Sequence, residues 1–287
     1  MEQEYIVENL DSFNLVHIFE CGQCFRWNRQ EDGSYTGVIK DAVLNVKQEG
    51  NKTIFKGIVN GDIKDVCIEY FDLNEDYGKI KIKLSQIDDN MRNSINYGNG
   101  IRILKQDLWE MIISFIISAN NNIPRIKGII ERICKKYGQE ITWNDDKYYT
   151  FPTPEELKNA TIEDLRTLGL GFRDIRVYET TKMIYTKQID LDNLRKIQDV
   201  ETLRNILLSL PGVGPKVADC IMLFSLKKLE VFPIDVWVRR VMSELYFNME
   251  NPEKGVAPNK LQQLAKEKYG NLAGIAQQYL FYWRRAM

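Results

Sequence analysis

Apolar residues in the first part of the chain fall in short runs rather than helical stripes. Tyr35-Thr-Gly-Val-Ile39 and Ala42-Val-Leu-Asn-Val46 are rich in β-branched side chains, and Thr53-Ile-Phe-Lys-Gly-Ile-Val59 follows the turn-forming Glu49-Gly-Asn-Lys52. These runs predict an antiparallel sheet. Short helices are expected from Asp65 to Phe71 and from Asp88 to Asn96, before Gly98-Asn-Gly100 punctuates the chain.

From Asp107 the period changes. Asp107-Leu-Trp-Glu110 has the form of a capping box. Leu108, Met111, Ile112, Phe115, Ile116 and Ala119 then recur at helical spacing, and Ile113 and Ile117 widen the stripe until the helix is apolar nearly all round, as in a core. It runs into Asn120-Asn121-Asn122, and a second helix is expected from about Pro124. Thr153-Pro-Glu-Glu and Thr161-Ile-Glu-Asp resemble further helix starts. Leu168-Gly-Leu-Gly171 is a turn placed directly before Phe172 and Arg173. The pattern predicts an α+β protein: an N-terminal antiparallel sheet domain over 1–100, then a two-lobed, all-helical domain over 101–287. A helix-hairpin-helix is expected at about 203–226.

Composition narrows the chemistry. With 287 residues, 44% of them hydrophobic, the chain has material for two cores. No apolar run approaches the roughly 18 residues of a membrane span, and the acidic start Met1-Glu-Gln-Glu carries no readable targeting peptide. A cytoplasmic protein is expected. The net charge of −1 gives no general affinity for polyanions, which leaves a local basic face as the route to nucleic acid. Cys21-x-x-Cys24 lacks a second ligand pair, so its thiols are expected to pack rather than bind metal. His17 is the only histidine, which excludes a multi-histidine metal centre and disfavours a histidine-based triad. Lysine, cysteine, serine, threonine and carboxylates remain as nucleophiles.

The most specific segment is Leu210-Pro-Gly-Val-Gly-Pro-Lys216-Val-Ala-Asp-Cys220. Backbone N–H groups of Gly212, Val213 and Gly214 can approach a phosphate closely, and the following helix points its positive dipole end the same way. A lysine in that first turn is disfavoured by the dipole, so something other than helix stability accounts for it. Exposed lysines are the rule, yet Lys216 borders an apolar stripe of Val217, Cys220, Ile221 and Phe224. Nineteen residues on, Asp235 precedes Val236-Trp-Val-Arg-Arg in the manner of an N-cap. A capping carboxylate can also stabilise positive charge growing on a sugar. Lysine beside bound DNA, with such a carboxylate, is equipment for attack on a sugar carbon. Asn120, Arg125 and Arg173 follow helix or turn ends, where contacts to bases or phosphates are plausible beside the plainer role of surface groups. Gln277 and Phe281 are four apart on a C-terminal amphipathic helix, offering an amide and a ring on one face.

In order, Gly22-Gln-Cys-Phe-Arg-Trp27, Ser118-Ala-Asn-Asn-Asn-Ile123, Leu168-Gly-Leu-Gly-Phe-Arg173, the hairpin, Asp235 and Gln277…Phe281 resemble the 8-oxoguanine DNA glycosylases of the helix-hairpin-helix glycosylase superfamily. The likeness runs over almost the whole chain. It implies a bifunctional glycosylase and abasic-site lyase that flips oxoguanine out of double-stranded DNA and prefers cytosine opposite. By this resemblance Lys216 attacks C1′ and Asp235 assists departure of the base. The Gly22 carbonyl accepts the N7–H that distinguishes oxoguanine, Gln277 reads the Watson–Crick edge, and Cys220 and Phe281 hold the base between them. Asn120, Arg125 and Arg173 address the orphaned cytosine, with Phe172 as a wedge. The resemblance implies no required cofactor. Carbonyls of Leu208, Leu210 and Val213 correspond to a hairpin site for a monovalent or calcium ion. It also implies a monomer and, with no cysteine after Cys220, no iron–sulfur cluster. Phe172 stands where vertebrate members have tyrosine, and Trp237 where they have histidine. The abundance of Ile, Asn and Lys suggests a bacterial or archaeal source. A non-catalytic hairpin module that grips phosphates, and a glycosylase for another lesion, are the competing readings.

Overall fold

The computed structural model describes residues 1–249 and 255–286. Strand β1 (Glu2–Glu8) and the short helix α1 (Leu15–Phe19) lead into β2 (Trp27–Arg29), β3 (Tyr35–Ile39), β4 (Ala42–Glu49) and β5 (Lys52–Ile58). They form one five-stranded antiparallel sheet in the order β1-β5-β4-β3-β2. Helix α2 (Ile63–Tyr70) closes the sheet's own core, in which Phe19, Trp27, Phe55 and Phe71 are buried together. Expected strands and helices fall within a few residues of these bounds. Strand β1 lies within the region expected to be strands, but no particular run marks it. It is an edge strand whose residues alternate between exposed and half-buried, so it lacks a strong apolar signal.

Helices α3 (Tyr77–Ser85) and α4 (Asp89–Tyr97) precede Gly98-Asn-Gly100 in sequence, yet Tyr77, Ile80, Leu84, Met91 and Ile95 belong to the large helical core. That core centres on α5 (Leu108–Ser118), in which every residue from Leu108 to Ile117 is buried, and on α6 (Ile123–Tyr137). The helical region also carries a two-stranded hairpin, β6 (Glu140–Trp143) and β7 (Asp146–Tyr149), in place of an all-helical run. Asn144 and Asp145 both take positive φ at its tip, the requirement of a tight two-residue loop. Next come α7 (Pro154–Leu157) and α8 (Ile162–Thr167), each opened by a complete capping box from Thr153 and Thr161. The chain continues through α9 (Asp174–Tyr185), α10 (Leu191–Lys196), α11 (Val200–Leu208) and α12 (Pro215–Leu226). Helices α13 (Val236–Phe247), α14 (Pro258–Tyr269) and α15 (Ala273–Arg285) complete it.

The capping box expected at Asp107 is only half present. Asp107 accepts from Glu110 N at 3.0 Å, but the Glu110 carboxylate does not return to the cap. It is buried instead, 3.9 Å from the Arg26 guanidinium. All five cysteines are free and buried, Cys21 and Cys24 among them, consistent with packing thiols. Among the described residues no helix is long and apolar enough to cross a membrane.

Candidate active site

Between α11 and α12 the chain reverses through Leu210-Pro211-Gly212-Val213. Val213 N donates to Leu210 O at 3.1 Å, Pro211 holds the second position and Gly212 the third with φ +86°, the pattern of a type II turn. A side chain at Gly212 would also collide with Arg176, whose Cδ lies 2.6 Å from where a Cβ would stand. Gly214 then caps α12 without a side-chain hydrogen bond, and Pro215 occupies the first turn. The first N–H groups of α12 therefore have no side-chain acceptor and remain available to an outside anion.

Lys216 follows in that first turn and is half-buried. Its Nζ lies 5.2 Å from the ring centroid of Phe115 on α5, and it forms no salt bridge with a carboxylate among the described residues. Phe115 in turn stacks on Phe224, with ring centroids 5.7 Å apart. Read from sequence as a plain core position, Phe115 forms part of the lysine's surroundings. The expected stripe of Val217, Cys220, Ile221 and Phe224 is buried. Asp235 caps α13, accepting from Val238 N at 2.7 Å. Burial pushes the Cys220 thiol up to about 11; the charge of Lys216 pulls it back, while Asp219 and Asp235 push it further up. Lys216 and Asp235 thus both lie within electrostatic reach of Cys220, although α12 and α13 bring them from separate parts of the chain.

A second group of expected residues gathers around α15. Gly22 has φ +87°, and a Cβ there would approach Phe281 Cε1 to 3.3 Å, so the two face each other across a narrow gap. The Gly22 loop is fixed by its neighbour. Buried Gln23 donates to the carbonyls of Ile18 and Arg102 at 3.0 and 2.8 Å and accepts from Leu104 N at 2.9 Å. Gln277 lies one turn before Phe281 and is 4% exposed, its Oε1 accepting from Gln278 at 2.8 Å. Gly274 of the same helix packs directly on Leu223 of α12, which joins this group to the lysine's helix.

A third group lies at the start of α6 and the turn before α9. Asn120 is exposed in the left-handed region, Asn121 bonds Ile117 O at 3.1 Å, and Asn122 caps α6 by accepting from Arg125 N at 3.0 Å. Two of the three asparagines thus have structural work, leaving Asn120 facing solvent. Arg125 is exposed and reaches Gly169 O at 3.4 Å. Phe172 is 55% exposed. Arg173 departs from the expectation of an open arginine. It is 2% exposed, and its guanidinium donates to the carbonyls of Ala119, Asn120 and Leu170. In this structure it clamps the asparagine loop to the Phe172 turn.

No cluster of three His, Cys, Asp or Glu suited to a metal is present among the described residues. The carbonyls of Leu208, Leu210 and Val213 are of the right kind for a hard cation. Leu208 ends α11, where carbonyls lack helical partners and the dipole is negative, and Leu210 O keeps a lone pair beyond its bond to Val213.

An antiparallel sheet joined to a helical body, with a lysine at a glycine hairpin, defines a class. Residues 5–112 match the N-terminal domain of 8-oxoguanine DNA glycosylases, and residues 113–267 match the HhH-GPD superfamily of base excision DNA repair proteins. The chain belongs to the 8-oxoguanine glycosylase family of that superfamily. It is 34% identical over 235 residues to a probable N-glycosylase/DNA lyase of Methanothermobacter thermautotrophicus, covering 75% of this chain and 72% of that protein. It is 32% identical over 268 residues to the N-glycosylase/DNA lyase of Saccharomyces cerevisiae, covering 83% and 69%. The Clostridium acetobutylicum 8-oxoguanine glycosylase/lyase, solved in complex with double-stranded DNA containing cytosine opposite to 8-oxoG, superposes with a TM-score of 0.93 at 41% identity. That match covers 100% of this chain and 98% of the other.

Proposed function

We propose that this chain excises 8-oxoguanine from double-stranded DNA and then cleaves the abasic strand, as a bifunctional glycosylase and lyase of base excision repair. The observation that carries this reading is the half-buried Lys216 in the first turn of α12, in no ion pair with a carboxylate among the described residues and sharing the neighbourhood of Cys220 with Asp235.

In the reaction, the hairpin N–H groups hold a phosphate of the damaged strand while the lesion rotates out of the duplex. Gly22 offers its carbonyl to the N7–H of oxoguanine, a donor that guanine lacks. Gln277 reads the Watson–Crick edge, and the base rests between Cys220 and Phe281. As the free amine, Lys216 Nζ bonds to C1′ while the bond from C1′ to the base breaks; the electron pair leaves with the base, which takes up a proton. The Asp235 carboxylate stabilises positive charge on the sugar in that transition state. Opening of the sugar ring leaves a Schiff base between Lys216 and C1′. Loss of a C2′ proton then expels the 3′ phosphate by β-elimination. Asn120 and Arg125 meet the orphaned cytosine, Arg173 joins them once it releases its carbonyls, and Phe172 fills the stack. A monovalent or calcium ion on the Leu208, Leu210 and Val213 carbonyls would add positive charge beside the hairpin phosphate. The protein works as a monomer, in the cytoplasm at the nucleoid, without an iron–sulfur cluster or other required cofactor.

Borohydride reduces a Schiff base to a stable amine, so incubation with oxoguanine duplex should yield a covalent protein–DNA band on a denaturing gel. Lys216→Gln should abolish the band while duplex binding stays within a few-fold of wild type. Undiminished trapping in that variant would overturn the assignment of the nucleophile.

A further inference from the structure

Arg176 was not singled out by any sequence motif. It lies in the first turn of α9, half-buried, between two parts of the DNA-facing surface. Its aliphatic stem rests on the hairpin: a Cβ at Gly212 would lie 2.6 Å from its Cδ and 3.3 Å from its Cβ and Cγ. Its guanidinium carbon lies 5.1 Å from the ring centroid of the exposed Phe172, which also carries Arg173 at 4.2 Å. One side chain therefore connects the phosphate-gripping turn to the aromatic wedge.

The charge at this place is uncompensated. Arg173 is spent on carbonyls, and burial, then the charges of Arg125 and Arg176, pull its pKa down from the usual arginine value. Asp174, the acid beside them in sequence, is committed to Arg166 at 2.9 Å. The Arg176 side chain makes no hydrogen bond and no ion pair among the described residues. Arg173 thus has two like charges near it, and among the described residues none of Arg125, Arg173 and Arg176 forms an ion pair, in a protein of net charge −1. Like charges this close destabilise one another until an anion joins them. The ring of Phe172 and the stem contact with Gly212 preset the orientation of the Arg176 fork, which matches a phosphate geometrically.

We propose that Arg176 is a DNA phosphate-binding residue that ties the hairpin's grip on the backbone to the position of the Phe172 wedge. This rests on the proposed action on double-stranded DNA. Because a phosphate carries no base identity, the contact strengthens binding equally opposite all four bases.

The test uses the full chain and a duplex holding a tetrahydrofuran abasic analogue, with dissociation constants measured across a range of salt concentrations. Arg176→Ala should weaken binding about tenfold at low salt. It should also reduce the slope of log affinity against log salt by about 0.9, the share of one phosphate. The weakening should be the same opposite each base. Arg176→Lys, which keeps the charge but not the planar fork, should retain the slope with an intermediate affinity, and it controls for folding. An unchanged slope and affinity in Arg176→Ala would overturn the assignment, and so would a loss confined to one opposite base. Wild-type protein that neither binds the duplex nor traps on oxoguanine DNA would remove the proposed function and this inference together. Normal wild-type trapping beside an inert Arg176→Ala removes Arg176 alone.

Discussion

Asp235 combines two demands on one carboxylate. It caps α13 through Val238 N, and it sits near enough to Cys220 to act on the same thiol as Lys216. The two roles separate under substitution. Asparagine caps a helix about as well as aspartate, so Asp235→Asn should leave the melting temperature nearly unchanged. On the proposed mechanism it removes the charge that faces the sugar, so base excision should fall by about a hundredfold or more, as when a preorganised transition-state contact is deleted. Single-turnover excision kinetics beside a thermal melt decide the matter. A sharp drop in melting temperature with an intact rate would mean that Asp235 only caps. The cap and the hairpin were legible in the sequence because both are local: Gly, Pro and Asp act through their own backbone. Arg173 was not legible, since its three carbonyl partners come from another loop as well as its own turn.

At the scale of elements, α5 links the lysine to the sheet domain. One end supports Lys216 through Phe115; the other buries Glu110 beside Arg26, a residue contributed by the sheet domain. The pair is poorly matched. The contact is 3.9 Å, and Arg26 Nε and Nη1 are buried without a hydrogen-bond partner. Burial pushes the Glu110 carboxyl up to about 7, more than Arg26 pulls it back. With a folded pKa above the unfolded one, the stability tied to its proton is fully present below about pH 4.5 and lost as pH rises through about 7. Above that, the fold carries a buried carboxylate at a cost on the order of 3 kcal/mol. Glu110→Gln mimics the protonated form. Its melting temperature relative to wild type should therefore rise between pH 5 and pH 8 and level off beyond. A difference independent of pH would show that Glu110 does not titrate in this range. Nothing in the local pattern points to this, because Glu110 reads as the closing glutamate of a capping box and only tertiary burial redirects it. The β6–β7 hairpin, in contrast, carried a usable signal in Asn144-Asp145, flanked by Trp143 and Tyr148, that periodicity alone passed over.

Across the whole molecule, a net charge of −1 coexists with a local gathering of arginines: Arg173 and Arg176 lie against the Phe172 ring, and the charge of Arg125 reaches Arg173. Arginine donates hydrogen bonds and accepts none. Cytosine presents N3 and O2 as adjacent acceptors on its pairing edge, whereas thymine has a donor at N3 and adenine only one acceptor there. Arginines converging on an orphaned base therefore favour cytosine, and a well-made bidentate pair is worth about 1–3 kcal/mol of discrimination. The structure weights the two candidates unequally. Arg173 must release carbonyls before it can turn to a base, while Arg125 is exposed and held only by a 3.4 Å contact to Gly169 O. Phe172 stacks on any base, adding affinity without choice, and as a phenylalanine it brings no hydroxyl to sharpen the contact. We expect excision to be fastest opposite cytosine, with a looser preference than in tyrosine-bearing relatives. Arg125→Ala should flatten the preference more than it lowers the rate opposite cytosine. Single-turnover rates against all four opposite bases measure both effects, and equal rates for the unmutated enzyme would defeat the idea.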